Sequence, residues 1–118
     1  MRFDRLHWTE SDIERVDVDQ RKVTVTASKV FVLGDQGARR VKVTFHAVRR
    51  AELEVTAYIG PPQAPTGFET PRRIQLVPRL DAEGCSTYGL EGITTYDPIA
   101  WIDLELDAES VECEELRG

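Results

Sequence analysis

The stretch Val41-Lys42-Val43-Thr44-Phe45-His46-Ala47-Val48-Arg49-Arg50-Ala51-Glu52-Leu53-Glu54-Val55-Thr56-Ala57-Tyr58-Ile59 decides the fold. Val41, Val43, Phe45 and Ala47 alternate with Lys42, Thr44 and His46. Beyond Arg49-Arg50, Leu53, Val55, Ala57 and Ile59 alternate with Glu52, Glu54, Thr56 and Tyr58. Successive strand side chains point to opposite faces, so each run buries one face and wets the other. That is the signature of antiparallel strands covered on one side; a parallel sheet reads apolar throughout. The charged Arg49-Arg50 pair divides the stretch into two expected strands, Val41–Ala47 and Leu53–Ile59.

Working towards the N-terminus, Val23, Val25 and Ala27 alternate with Thr24, Thr26 and Ser28. This run is expected to return antiparallel to Arg15–Val18 after the polar turn Asp19-Gln20-Arg21-Lys22. Val30-Phe31-Val32-Leu33 is apolar on both faces, which calls for burial on two sides or a bulge near Ser28-Lys29. Gly34-Asp35-Gln36-Gly37 reads as the hairpin loop into Val41–Phe45. Met1–Ile13 reads as a short strand or a single helical turn.

Towards the C-terminus, residues 60–73 hold four prolines and two glycines and read as an irregular loop, because proline removes ladder donors. A loop of this length in a small domain suggests function or mobility. Ile74, Leu76 and Leu80 suggest a strand ended by Pro78. Asp81–Gly92 reads as a polar, glycine-punctuated loop carrying Cys85 and Tyr88. Ala100, Ile102, Leu104 and Leu106 alternate with Trp101, Asp103, Glu105 and Asp107, a strand with an acidic outer face. Val111 and Cys113 mark a short last strand. The expected fold is all-β or β-dominated α+β, an antiparallel meander of roughly six to eight strands rolled into a sandwich or barrel-like sheet. It forms one domain over residues 1–118.

No apolar run approaches the ~18 residues that a membrane helix needs. The opening MRFDRLHWTESD lacks an apolar leader core, and two cysteines in a leaderless chain read as reduced, so the expected compartment is the cytoplasm. Arginine outnumbers lysine 12 to 3, a composition of GC-rich bacterial genomes. Residues 1–80 carry a net charge of +4, and residues 81–118 carry −10. The overall balance of −6 argues against nucleic acid, whose phosphates require a Lys/Arg surplus.

Catalytic motifs are absent. His7 and His46 lie at no metal-ligand spacing, the serines occupy no nucleophile elbow, and no glycine-rich phosphate loop opens a helix. No cofactor, metal or catalytic residue is therefore assigned, and an enzyme is unsupported. Asp103 and Glu105 would stand about 7 Å apart on one face, a spacing compatible with glycoside hydrolysis. They belong, however, to a row of like charges, for which a solvated face is the simpler account.

That row is the feature to explain. Seven of the thirteen residues from Asp103 to Glu115 are carboxylates. One reading is a solvated edge whose charges discourage aggregation. The other is a docking face for a basic protein, formed by Asp103, Glu105, Asp107, Glu112 and Glu114 with Trp101 as aromatic anchor. A competing site for a small ligand or carbohydrate would use Phe68, Tyr88 and Tyr96 as stacking groups, with loop 60–73 as a lid. A third reading is a structural subunit that self-associates, as a homodimer, through Trp101.

The first half also resembles a loose class of small bacterial β-rich proteins. Their W/F-H-D-S-x-I opening is followed by V-x-V/I-D, V-x-V and V-x-L/V-x-F-x-x-V strands. The corresponding residues are Leu6-His7-Trp8 with Ser11-Asp12-Ile13, then Val16-Asp17-Val18-Asp19, then Val23-Thr24-Val25, and finally Val41–Val48. The resemblance covers residues 6–59, and Trp8-Thr9-Glu10 departs from the opening pattern. Some members of that class are immunity proteins of toxin systems. The resemblance therefore implies a non-enzymatic binding protein and supplies no site residues.

Overall fold

The two runs on either side of Arg49-Arg50 belong to one continuous strand in the computed structural model, which describes residues 1–35, 37–61 and 63–117. Gln36 of the expected hairpin loop and Pro62 of the proline-rich segment lie outside the described residues. In chain order, a 3-10 helix (Phe3–Arg5) precedes β1 (Leu6–His7), β2 (Asp12–Asp19), β3 (Lys22–Val32) and β4 (Ala38–Ile59). Then follow β5 (Gly67–Phe68), β6 (Arg72–Gln75), β7 (Ser86–Thr94) and β8 (Ala100–Leu116). The eight strands form one mixed sheet, so the β-dominated architecture is as expected.

Strand β4 stays continuous because it bends. Val41, Val43 and Phe45 face inward and are fully buried; so are Val48 and Ala51, after which Leu53, Val55 and Ala57 resume the alternation. The inward set is re-phased at Ala47, which adopts φ 51°, and by a register shift between Val48 and Arg50. A bulge adds unpaired residues, turns the strand and restores the inward face beyond the turn. Strand β8 follows it round: Ala100 to Ala108 bury the even-numbered positions, while Val111 and Cys113 pack inward opposite Phe45 and Val43. The expected separate strand at Val111 is therefore the second half of β8.

Bending two long neighbours together makes two half-sheets share them. One half contains β2, β3, residues 38–46 of β4 and residues 110–116 of β8. The other contains β6, residues 50–57 of β4, residues 100–108 of β8 and β7. Strands that pass between packed sheets at bulges or bends are how such corners are made. Valine, leucine, isoleucine and phenylalanine from both halves fill the space between, each contributing about 1.5–3 kcal/mol on burial.

The topology is not a simple meander. Strands β2, β3 and β4 run in that way, with Val18 opposite Val23 and Val25 opposite Val43. Of the two alternatives for the doubly apolar run, burial on both sides or a bulge, the bulge is found, with Lys29 at φ 57°. Strand β8 then lies between β4 and β7, and β7 pairs in parallel with β2 at Asp12–Ile93 and Ile13–Thr94. That junction completes a circuit of pairings through β2, β3, β4, β8 and β7. It is tight: a Cβ on Gly92 would lie 2.5 Å from Ser11 Oγ and 2.8 Å from both Ile13 Cγ1 and the Ser11 carbonyl oxygen.

Strand β7 replaces most of the expected Asp81–Gly92 loop. Only Leu90 is a large apolar residue buried on it; Gly89, Gly92 and the hydroxylated residues hide the alternation that Tyr88, Leu90, Gly92 and Thr94 make towards the core. Loop 60–73 likewise contains β5 and the start of β6. Strand β6 is exposed throughout, Leu76 is half-buried and Val77 closes the core, whereas Leu80 is exposed. At the N-terminus the helical turn and the short strand occur in succession. Cys85 and Cys113 are both free.

Candidate functional site

Cross-strand register assembles an acidic surface wider than the β8 sequence suggests. On the outer face, Asp103 lies between Glu54 of β4 and Glu91 of β7; Glu105 lies between Glu52 and Gly89; Asp107 lies between Arg50 and Thr87. Like charges directly opposite one another repel, so this arrangement opposes folding locally. Two arginines relieve it in part. The Arg50 guanidinium reaches Asp107 at 2.9 Å, Glu105 at 2.7 Å and Glu52 at 3.6 Å, and Arg73 reaches Glu54 at 3.3 Å. Neither Asp103 nor Glu91 has an ion pair among the described residues. Glu52, Glu54, Arg73, Asp103 and Glu105 line a shallow depression of ≈220 Å³.

Asp107 is the structural member of the row. Its side chain is only 13% exposed and Arg50 only 12%, whereas Glu105 is 61% exposed. The hydrogen bonds that Arg50 and then the Thr87 hydroxyl donate hold the Asp107 carboxyl below the usual carboxylate range. The same contact to Asp107 is the largest cause of a raised Arg50 pKa. Asp107 is therefore engaged within the protein, while Asp103 and Glu105 face solvent.

Glu112 and Glu114 also lie on the outer side, because β8 re-phases near Glu109. They stand about 23 and 30 Å along the strand from Glu105, at ~3.3 Å per residue. Their surroundings are mixed in charge. His46 Nε2 hydrogen-bonds the Glu112 carboxylate, Glu114 is opposite Lys42, and both carboxylates line a hollow of ≈460 Å³ that also includes Lys22. The acidic row thus divides into a strongly negative half at Asp103–Glu105 and a nearly balanced half at Glu112–Glu114. Trp101 is half-buried between Thr56 and Ile93, at the end of the strongly negative half.

The three aromatic residues of the small-ligand reading occupy different surroundings. Tyr88 turns inward and packs edge-on against Phe3, centroids 5.4 Å apart, and against Phe45 at 5.5 Å. Phe68 is 62% exposed and rests edge-on upon Tyr58 across the β4–β5 pair. Tyr96 lies in the turn between β7 and β8, where burial pushes its phenol up. Tyr88 lies in the second half-sheet's core, six residues before the end of β7, and is separated from the turn that carries Tyr96.

Among the described residues, no group of three or more His, Cys, Asp or Glu side chains is placed to hold a metal ion. No helix among the described residues is long and apolar enough to cross a membrane. The residues missing from the sequence reading of the face are Glu52, Glu54, Glu91, Arg50 and Arg73. The polar alternation of Glu52 and Glu54 was visible in the chain; their position beside Asp103 and Glu105 depends on register alone. Compared with protein-family models, curated proteins and solved structures, the chain matches none.

Proposed function

We propose that this protein is a non-enzymatic protein-interaction module whose outer face at Glu52, Glu54, Glu91, Asp103 and Glu105 receives a basic protein partner. The observation that carries the reading is the row of carboxylates spanning three strands, in which Arg50 and Arg73 are the ion-paired cations among the described residues. A face that retains unrelieved like-charge repulsion costs stability, and a cationic partner removes that cost on binding. Such a field also steers association over a distance set by the Debye length, about 10 Å at 0.1 M salt. Trp101, at the margin of the face, supplies an aromatic contact area. An immunity-type inhibitor of a basic toxin is the sharpest form of this proposal, and a cytoplasmic setting agrees with it.

The test is retention of partners from a host lysate by the wild type and by the Asp103→Lys/Glu105→Lys variant, followed by association kinetics of whichever protein is retained. The expected result is a salt-weakened partner whose association rate falls roughly tenfold or more in the variant at low salt, with the difference shrinking as salt rises. Equal retention and equal rates for the two proteins would remove the acidic face from consideration.

A further inference from the structure

Strand β7 pairs with β8 along most of its length but with β2 only at Ile93 and Thr94. The Ile93 and Thr95 amides donate to the Ser11 and Ile13 carbonyls, so the odd-numbered residues of β7 turn their peptide groups away from β8. The β7–β8 register is unbroken from Ser86 to Ile93, and the two ladder groups of a strand residue point to the same side. The Glu91 carbonyl on that side accepts the Ser11 hydroxyl at 2.7 Å. The peptide groups of Thr87 and Gly89 face outward as well, and they have no partner among the described residues. Both residues are exposed. Two hollows of ≈330 and ≈540 Å³ adjoin this edge and meet at Gly89.

We infer that the Thr87–Glu91 edge takes up an extended segment of a partner chain as an added strand, and that this segment alternates basic and apolar residues. The inference rests on the acidic-face reading and names the form in which the partner presents its charge. Side chains of an added strand alternate between the two sides of the sheet. On the outer side they meet Glu91, with Asp103 and Glu105 behind it. Gly89 is the cross-strand neighbour of Glu105, and a Cβ there would meet nothing nearer than the Leu104 carbonyl oxygen at 3.8 Å. The gap left by this glycine lets a lysine or arginine opposite it reach Glu105 over the sheet.

On the inner side the added residues meet Phe3, Tyr88 and Val111, which line the larger hollow. The smaller hollow, which reaches Glu91 and Asp103, is lined by Trp8, buried, with an indole N–H that has no acceptor among the described residues. In strand addition the main chain supplies affinity and alternate side chains supply specificity. A second copy of this chain is the wrong occupant, because pairing β7 with itself would bring two strongly negative outer faces side by side.

The experiment is fluorescence anisotropy with labelled, capped Lys-Val-Lys-Val-Lys-Val. Controls are the same peptide N-methylated at alternate amides and its Glu-Val counterpart. Each is titrated against wild type, Gly89→Pro, Gly89→Val and Asp103→Lys/Glu105→Lys. Proline is tolerated where an edge N–H faces solvent, and Gly89→Val keeps that N–H while filling the gap. Saturable binding of the basic peptide is expected, weakened about tenfold or more by N-methylation, by either Gly89 substitution and by charge reversal.

Equal binding of the parent and N-methylated peptides, lost on charge reversal, would overturn the strand-addition inference and leave the acidic face standing. Failure of the basic peptide to bind at millimolar concentration would overturn it too, and the lysate experiment then judges the acidic face separately. Binding of the Glu-Val peptide as tight as that of its basic counterpart would refute the charge assignment. Dimerisation of the wild type abolished by Gly89→Pro would make a second copy the occupant and refute the partner named here.

Discussion

Replacing Gly92 with alanine tests the closure of the sheet at its narrowest point. The added Cβ would stand 2.5 Å from Ser11 Oγ, 2.8 Å from Ile13 Cγ1 and 2.8 Å from the Ser11 carbonyl oxygen. None of these atoms is free to retreat. Ser11 Oγ donates to the Glu91 carbonyl, the Ser11 carbonyl accepts the Ile93 amide at 3.0 Å, and both Ser11 and Ile13 are fully buried. Relief requires β2 to move away from β7. Overpacking of this kind costs about 1–3 kcal/mol, and weakening the two hydrogen bonds adds about 1 kcal/mol each. A total of about 3–5 kcal/mol lowers the melting temperature by roughly 12–20 °C in a domain of this size.

Urea unfolding followed by circular dichroism gives the free energy, with Gly89→Ala as the control. Gly89 has open space around its Cβ position, so that change stays within about 0.5 kcal/mol of wild type. Adding Ser11→Ala to Gly92→Ala removes only the nearest clash, leaving Ile13 and the Ser11 carbonyl, and so restores part of the loss. A Gly92→Ala protein as stable as Gly89→Ala would refute the argument that the parallel β2–β7 contact is packed to its limit.

At the bend of β4, Ala47 occupies left-handed space, so Ala47→Gly should be neutral or stabilising by up to about 1 kcal/mol, while Ala47→Val should destabilise by about 1–3 kcal/mol. Urea midpoints check this, and the order expected from β propensity, valine above glycine, would contradict it. Asp107 gives a pH dependence. Its folded pKa lies below the unfolded value of about 4, so its contribution is present above that pH and is lost as pH falls through the folded pKa. Asp107→Asn should therefore lower stability near neutrality and shrink the difference from wild type below about pH 4; a pH-independent difference between pH 3 and 6 would count against the assignment.

The elements that were legible in the chain are those whose side chains alternate cleanly. Val23–Ala27, Val41–Phe45, Leu53–Ala57 and Ala100–Leu106 each carry a run of apolar residues at period two, and each lies in a strand. The bulge at Lys29 was legible for a related reason, since Val30 could not face inward in the phase set by Val23, Val25 and Ala27 without one. Strand β7 was hidden because its core-facing positions include Gly92 and Thr94, which fit beneath β2 by being small rather than apolar. The unity of β4 was hidden because Arg49-Arg50 resembles a turn; Arg50 is instead drawn to Asp107 and Glu105 on the neighbouring strand.

The same division applies to the acidic face. Local sequence determined that Asp103 and Glu105 point to solvent, because Ile102, Leu104 and Leu106 on either side must be buried and a strand has only two faces. It likewise determined that Glu52 and Glu54 oppose Leu53 and Val55. Which of these carboxylates are neighbours, which one Arg50 sequesters, and which strand edge remains open are matters of pairing between segments some fifty residues apart. Only the tertiary structure decided them. Burial is read from a residue's own period, whereas register is set by where the β4 bulge falls and how closely Gly92 lets β2 approach.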